Sequence, residues 1–190
     1  YGSLYQQLLE RPVGWFVKVL WHFHTQMSPE EKEVQLSQLR KLNEVCTALK
    51  RKLMVELIIP ECYPEPESPV LAGSSLGDAM AEVYQVGINP YWWKITALDN
   101  KEEWQTMTEV LDKYDSEVGV IILVNDAPIK QFETWFRVAR STPHTCGFAV
   151  GRSIFWEPWE QFAEGKIKKA EIANSIARRF QSVINIWHDA

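Results

Sequence analysis

Short apolar runs alternate along this chain with segments in which apolar residues return every three or four positions. Gly14–Phe23 is apolar except for Lys18 and His22, and Leu53–Ile59 except for Glu56. Trp92–Thr96 is interrupted only by Lys94, whereas Val118–Val124 and Cys146–Val150 carry no charge at all. Runs of this length, rich in β-branched and aromatic residues, predict strands. Near-continuous apolarity, rather than alternation, predicts parallel strands covered on both faces.

Helical spacing fills the intervals. Ser28-Pro29-Glu30-Glu31 reads as a capping box with proline at the first helical position, opening a helix that buries Val34, Leu39, Leu42, Val45 and Leu49. Leu76, Met80, Val83 and Tyr84 fit a short helix stopped at Gly87. Asn100–Tyr114 places Trp104, Met107 and Leu111 on one face, and Asn125-Asp126 reads as the cap of a helix carrying Phe132, Trp135, Phe136 and Ala139. The last helix, from about Lys168 to Trp187, offers Ile172, Ile176, Phe180, Val183 and Trp187 as its buried stripe. Before the first strand, Leu4, Leu8 and Leu9 suit the end of a helix with no N-terminal cap. Pro60–Gly73, with four prolines, reads as a long loop able to act as a lid.

Strand and helix therefore alternate five times, which means a parallel α/β fold with right-handed crossovers, expected as one domain over residues 1–190. A complete eight-unit barrel usually needs about 250 residues. Five units leave an open parallel sheet or the back portion of a barrel. A bare five-unit sheet exposes apolar edges, so dimerisation or a further N-terminal segment is expected.

Composition narrows the classes of function. A 46% hydrophobic and 24% charged chain is ordinary for a globular protein, and a net charge of −5 gives no electrostatic reason to expect nucleic acid or an anionic membrane as partner. No apolar run reaches the length of a membrane span. Cys46, Cys62 and Cys146 are odd in number and lack CxxC spacing, which reads as reduced thiols in a cytoplasmic protein. No G-x-G-x-x-G or Walker loop follows any strand, against dinucleotide and P-loop chemistry. Ser28, Ser153 and Cys62 lack the context of an activated nucleophile.

The polar interruptions of the strands are the candidate chemistry. Side chains alternate across a strand, so Lys18 shares a face with Leu20 and His22, Glu56 with Met54 and Ile58, and Lys94 with Trp92 and Thr96. On a barrel these groups meet inside, toward the C-terminal mouth. A lysine in such a strand is either an ion-pair member or an amine nucleophile activated by its surroundings; here the alternatives are a self-satisfied Lys–Glu–Lys network and an iminium-forming lysine with Glu56 moving protons. Gly151-Arg152, directly after the last strand, stands where barrels commonly bind phosphate. His22 and His24 share a face at a strand end, but no Asp/His cluster elsewhere completes a metal shell, so a hydrogen-bonded pocket histidine is the simpler expectation.

Val17-Lys18-Val19-Leu20, Val55-Glu56-Leu57, Trp92-Trp93-Lys94-Ile95 and the run from Gly147 to Phe155, in this order and spacing, resemble the class I tagatose-bisphosphate aldolase type of TIM barrel. The resemblance is closer to the aldolase-like domain of uncharacterised function fused behind the sugar kinase of inositol catabolism, 5-dehydro-2-deoxygluconokinase. It covers nearly the whole chain, starting at the counterpart of the fourth barrel strand, and implies units β4 to β8 of such a barrel. It implies Lys94 as Schiff-base lysine, Lys18 as its cationic partner, Glu56 as pocket acid and Gly151-Arg152 at the phosphate. His22, Asn125 and Asp126 are further candidate substrate contacts. The activity implied is cleavage of a phosphorylated keto-sugar acid, such as 6-phospho-5-dehydro-2-deoxygluconate, with no metal or other cofactor, in a homo-oligomer or a fusion with a sugar kinase. The other reading is a non-catalytic assembly or regulatory domain of that kinase. Two positions depart from the aldolase pattern: Thr96 replaces an acid two residues after the lysine, and Asn125-Asp126-Ala127 replaces a serine-glycine turn.

Overall fold

The computed structural model describes residues 3–23, 27–59, 72–99, 101–124 and 127–190. Its centre is a sheet of five parallel strands that pair in sequence order: β1 (Val17–His22), β2 (Leu53–Ile58), β3 (Trp92–Thr96), β4 (Gly119–Val124) and β5 (Thr145–Val150). Parallel strands in sequential order, each joined by a right-handed crossover, put every connecting helix on one side. That is the arrangement of a partial TIM-barrel-like unit, and it fits the α/β architecture expected from the alternating pattern.

Burial follows directly. Val55, Leu57, Trp93, Ile95, Val120 and Ile122 point toward the helices and are fully buried. The opposite face is less covered: Leu20 is 46% exposed, and Lys94, Thr96, Ile121 and Leu123 are half-buried. The expectation that both faces are covered thus fails for the described residues, most clearly at β1. Five units leave the concave face open, and this face carries the polar residues of the strands.

Helix α1 (Leu4–Leu9) is capped by Ser3, whose side chain accepts from Gln6 N, so the expected absence of a cap was wrong. Helix α2 (Pro29–Ala48) has the anticipated capping box between Ser28 and Glu31. Its buried stripe is Leu36, Leu39 and Cys46, while Val34 is exposed; the apolar period was right and its phase displaced. Arg51, just before β2, donates to the carbonyls of Leu8, Arg11 and Pro12, tying the N-terminal segment to the sheet. Helix α3 (Ala72–Gln85) starts earlier than its apolar residues implied, so the end of the expected loop is helical; residues 60–71 of that loop lie outside the described residues. Gly87, at φ 79°, ends α3 in the left-handed conformation a glycine adopts without steric cost.

Helix α4 (Lys101–Tyr114) packs on α3 where Gly77 comes close to Val110. A 3-10 turn at Ile129–Gln131 leads into α5 (Phe132–Ala139), whose N-cap is Gln131 rather than the Asn125-Asp126 pair. Both of those residues lie outside the described residues. Helix α6 (Arg152–Ala163) was not anticipated, because Pro158 interrupts the pattern; it buries Ile154 and Pro158 only. Helix α7 (Lys169–Asp189) buries Val183, whereas Phe180 is 42% exposed rather than part of the core. His144 is buried before β5, its ring nitrogens 2.9 Å from Val118 O and 3.0 Å from Asp112 Oδ1. Among the described residues no helix is long and apolar enough to cross a membrane.

Gly119 lies where the sheet has no room. A Cβ there would come within 2.7 Å of Trp92 Cδ1 and 2.9 Å of Cys146 Sγ. Gly119→Ala is therefore expected to destabilise the fold by about 1–3 kcal/mol, through displacement of both neighbours. Urea denaturation measures it, and an unchanged midpoint would mean that Trp92 repacks freely.

Candidate functional site

Strand register decides which polar groups meet. Glu56 on β2 is the direct partner of Lys94 on β3 and of Leu20 on β1, so Lys18 lies one diagonal step away on the same face. A diagonal step is within reach of a long side chain. Glu56 Oε1 sits 3.2 Å from Lys94 Nζ, and its other oxygen pairs with Lys18 Nζ. One carboxylate thus bridges two ammonium groups on three neighbouring strands, as the alternation of the strands predicted.

Exposure is graded across this trio. The side chain of Glu56 is 9% exposed, that of Lys94 17% and that of Lys18 41%. Burial pushes the Glu56 carboxyl up, but hydrogen bonds and charge attraction from Lys18 and Lys94 outweigh it and hold the group below its ordinary value. Glu56 is therefore a carboxylate at neutral pH, able to accept a proton. Trp92 and Thr96 flank Lys94 on its face of β3, and the fully buried Trp93 on the other face donates from Nε1 to Tyr84 Oη at 2.9 Å. That hydrogen bond anchors the strand from the helix side.

A second feature stands at the C-terminal rim. Lys94 is level with Ile121 and Gly147, and Gly151 follows four residues later, so it lies about 13 Å up the sheet and about 10 Å across from Lys94. Gly151 is the N-cap of α6, which opens at Arg152. A cleft of about 520 Å3 lies here, walled by Ala127, Pro128 and Ile129 on one side and by Arg152, Ser153 and Trp156 on the other. Arg179 of α7 and Glu157 of α6 also line it. A helix start with guanidinium groups beside it favours an anion.

Of the other expected site residues, His22 ends β1 and is exposed, two positions along from Leu20 on the open face. His24, Asn125 and Asp126 lie outside the described residues. Among the described residues no three His, Cys, Asp or Glu side chains are grouped to hold a metal ion. Trp156, Glu157 and Arg179 had not been anticipated. Arg178-Arg179 on an amphipathic helix reads as a solvated face, and nothing local distinguishes the arginine that turns inward.

The fold and site together define a parallel β/α protein with a lysine–glutamate–lysine centre on its open concave face. The chain belongs to the bacterial family described as "uncharacterized protein conserved in bacteria" (DUF2090), whose model matches residues 2–190. No curated protein matches it. Among solved structures it is similar to Cgl0159 from Corynebacterium glutamicum, at 15% identity and a TM-score of 0.55, over 86% of this chain and 50% of that one. The likeness is one of fold, and the chain spans half the length of that structure.

Proposed function

We infer that this domain performs class I, Schiff-base aldolase chemistry on a phosphorylated keto-sugar acid of the 6-phospho-5-dehydro-2-deoxygluconate type. The observation that carries this reading is the half-buried Lys94 amine, 3.2 Å from a carboxylate that a second lysine also holds.

Lys94 passes its ammonium proton to Glu56 and, as the free amine, adds to the substrate ketone, and loss of water from the carbinolamine leaves an iminium. The hydroxyl β to that carbon then gives up its proton as the bond between the α and β carbons breaks. The electron pair flows into the iminium, so the products are an aldehyde and an enamine. Protonation and hydrolysis of the enamine return the ketone and free Lys94. Glu56 accepts and returns the protons, for which a carboxylate within hydrogen-bond reach of Nζ is suited. Lys18 holds the second Glu56 oxygen and, reaching solvent, a substrate oxygen. Gly151 and Arg152 take the phosphate, and His22 faces the substrate from β1. No step calls on a metal or organic cofactor. We place the domain in the reducing cytoplasm, as a fusion behind a sugar kinase of inositol catabolism or in a homo-oligomer; Cys46 and Cys146 are both free thiols.

Cleavage of the phosphorylated keto-sugar acid by the full-length protein is expected to continue undiminished after exhaustive treatment with chelators. Loss of activity that returns on adding a divalent metal would shift the chemistry toward His22 and away from an imine.

A second reading has specific support. Thr96 stands where aldolases of the resembling type place an acid, and Glu56 engages both lysines at once. A non-catalytic domain that binds the phosphorylated sugar to regulate or assemble a kinase accounts for both.

A further inference from the structure

The cleft beside Gly151 and Arg152 contains a second guanidinium that is already engaged. Arg179 Nη1 donates to Glu157 Oε2 at 2.6 Å, and Nη2 donates to the Ser153 carbonyl at 3.1 Å. Its Nε is shielded from solvent and has no hydrogen-bond partner among the described residues. Glu157 has another partner: its Oε1 accepts from Gln161 Nε2 at 3.1 Å. It is also 54% exposed, so water can replace the arginine.

We propose that Arg179 is the second cation of this anion pocket and that Glu157 is its internal competitor. An incoming phosphate monoester, taken first at Gly151 and Arg152, displaces the Glu157 carboxylate from Arg179. It thereby gains a second guanidinium, while Glu157 keeps Gln161 and water. The exchange favours a doubly charged phosphate over a carboxylate ligand, because a dianion outcompetes a single carboxylate for the same guanidinium. The Arg179 contact with the Ser153 carbonyl keeps the guanidinium at the first turn of α6 throughout. This proposal rests on the reading of Gly151-Arg152 as the phosphate site.

Titration of the full-length protein with inorganic phosphate, followed by calorimetry at fixed ionic strength, tests it. Removing the competitor and removing the cation act in opposite directions. Glu157→Gln is expected to tighten phosphate binding about three- to tenfold, and Arg179→Gln to weaken it about tenfold or more. In the double variant the gain from Glu157→Gln disappears, since there is no guanidinium left to release. Weaker or unchanged binding in Glu157→Gln overturns the proposal, because a pair that merely clips α6 to α7 gives equal losses of melting temperature and no opposite shifts in affinity. If the wild type binds no phosphate, or Arg152→Gln binds as the wild type does, the phosphate reading fails and the proposal with it. A loss confined to Arg152→Gln, with both other variants unchanged, overturns the proposal alone.

Discussion

Lys94→Met is expected to reduce cleavage of a phosphorylated keto-sugar acid by roughly four orders of magnitude or more, since no other group can supply the electron sink once the nucleophile is gone. The fold should survive the change. Glu56 retains Lys18, and a methionine of similar length fills the space beside Trp92 and Thr96. Lys94→Arg is the discriminating companion. It keeps a positive charge next to Glu56 and so keeps the ion pair, but a guanidinium forms no imine. Activity lost in both variants, with melting temperatures near that of the wild type, identifies Lys94 as a nucleophile. If Lys94→Arg retained activity, charge alone would be what β3 contributes. Steady-state kinetics with thermal denaturation of each variant reads both outcomes.

Glu56→Gln carries the second large effect, on stability and chemistry together. The amide preserves shape but leaves two ammonium groups facing each other without a counter-charge. Breaking a buried ion pair typically costs about 3–5 kcal/mol. Lys18 reaches solvent, so screening lowers the expectation to about 1–3 kcal/mol. Turnover should fall by about a hundred- to ten-thousand-fold through loss of the proton acceptor.

The pH dependence follows from the direction of the Glu56 shift. Its carboxyl is held below its ordinary value of 4.5 in the folded protein, so the folded state favours the ionised form. That contribution is fully present above the unfolded value and is lost as pH falls through the lower, folded one. The stability gap between wild type and Glu56→Gln should therefore be constant near neutrality and close below about pH 4. Denaturant titrations from pH 7 to pH 3 measure it. A gap that widened in acid would mean that Glu56 is protonated in the folded protein.

The five strands were legible because each is a nearly continuous apolar run, and the few charged or polar interruptions of the first three marked the candidate site. Period-two alternation then placed Lys18, Glu56 and Lys94 on one face, and parallel register brought them together. Helix phases were less legible. Val34 fits the apolar period of α2, but the sheet approaches from the side of Leu36, Leu39 and Cys46, a direction only the fold supplies. Pro158 concealed α6, although its fixed φ is tolerated there and the residue is buried against the fold. Nothing local singled out His144, because its partners, Asp112 and the Val118 carbonyl, are 32 and 26 positions away. Arg179 was invisible for the same reason, since Ser153 lies 26 residues before it and Glu157 22. Local pattern thus finds residues that act within a strand's own periodicity and misses those placed by helix docking.

Borohydride trapping tests the central claim most directly. The full-length protein is incubated with phosphorylated keto-sugars, reduced and analysed by peptide mass spectrometry. Imine chemistry predicts a reduced adduct on Lys94 with a phosphorylated keto-sugar acid, and none in Lys94→Arg. No adduct on Lys94, from a protein that binds the same compounds, would contradict the aldolase reading and leave Lys18, Glu56 and Lys94 as a self-satisfied ion-pair network in a domain that only binds.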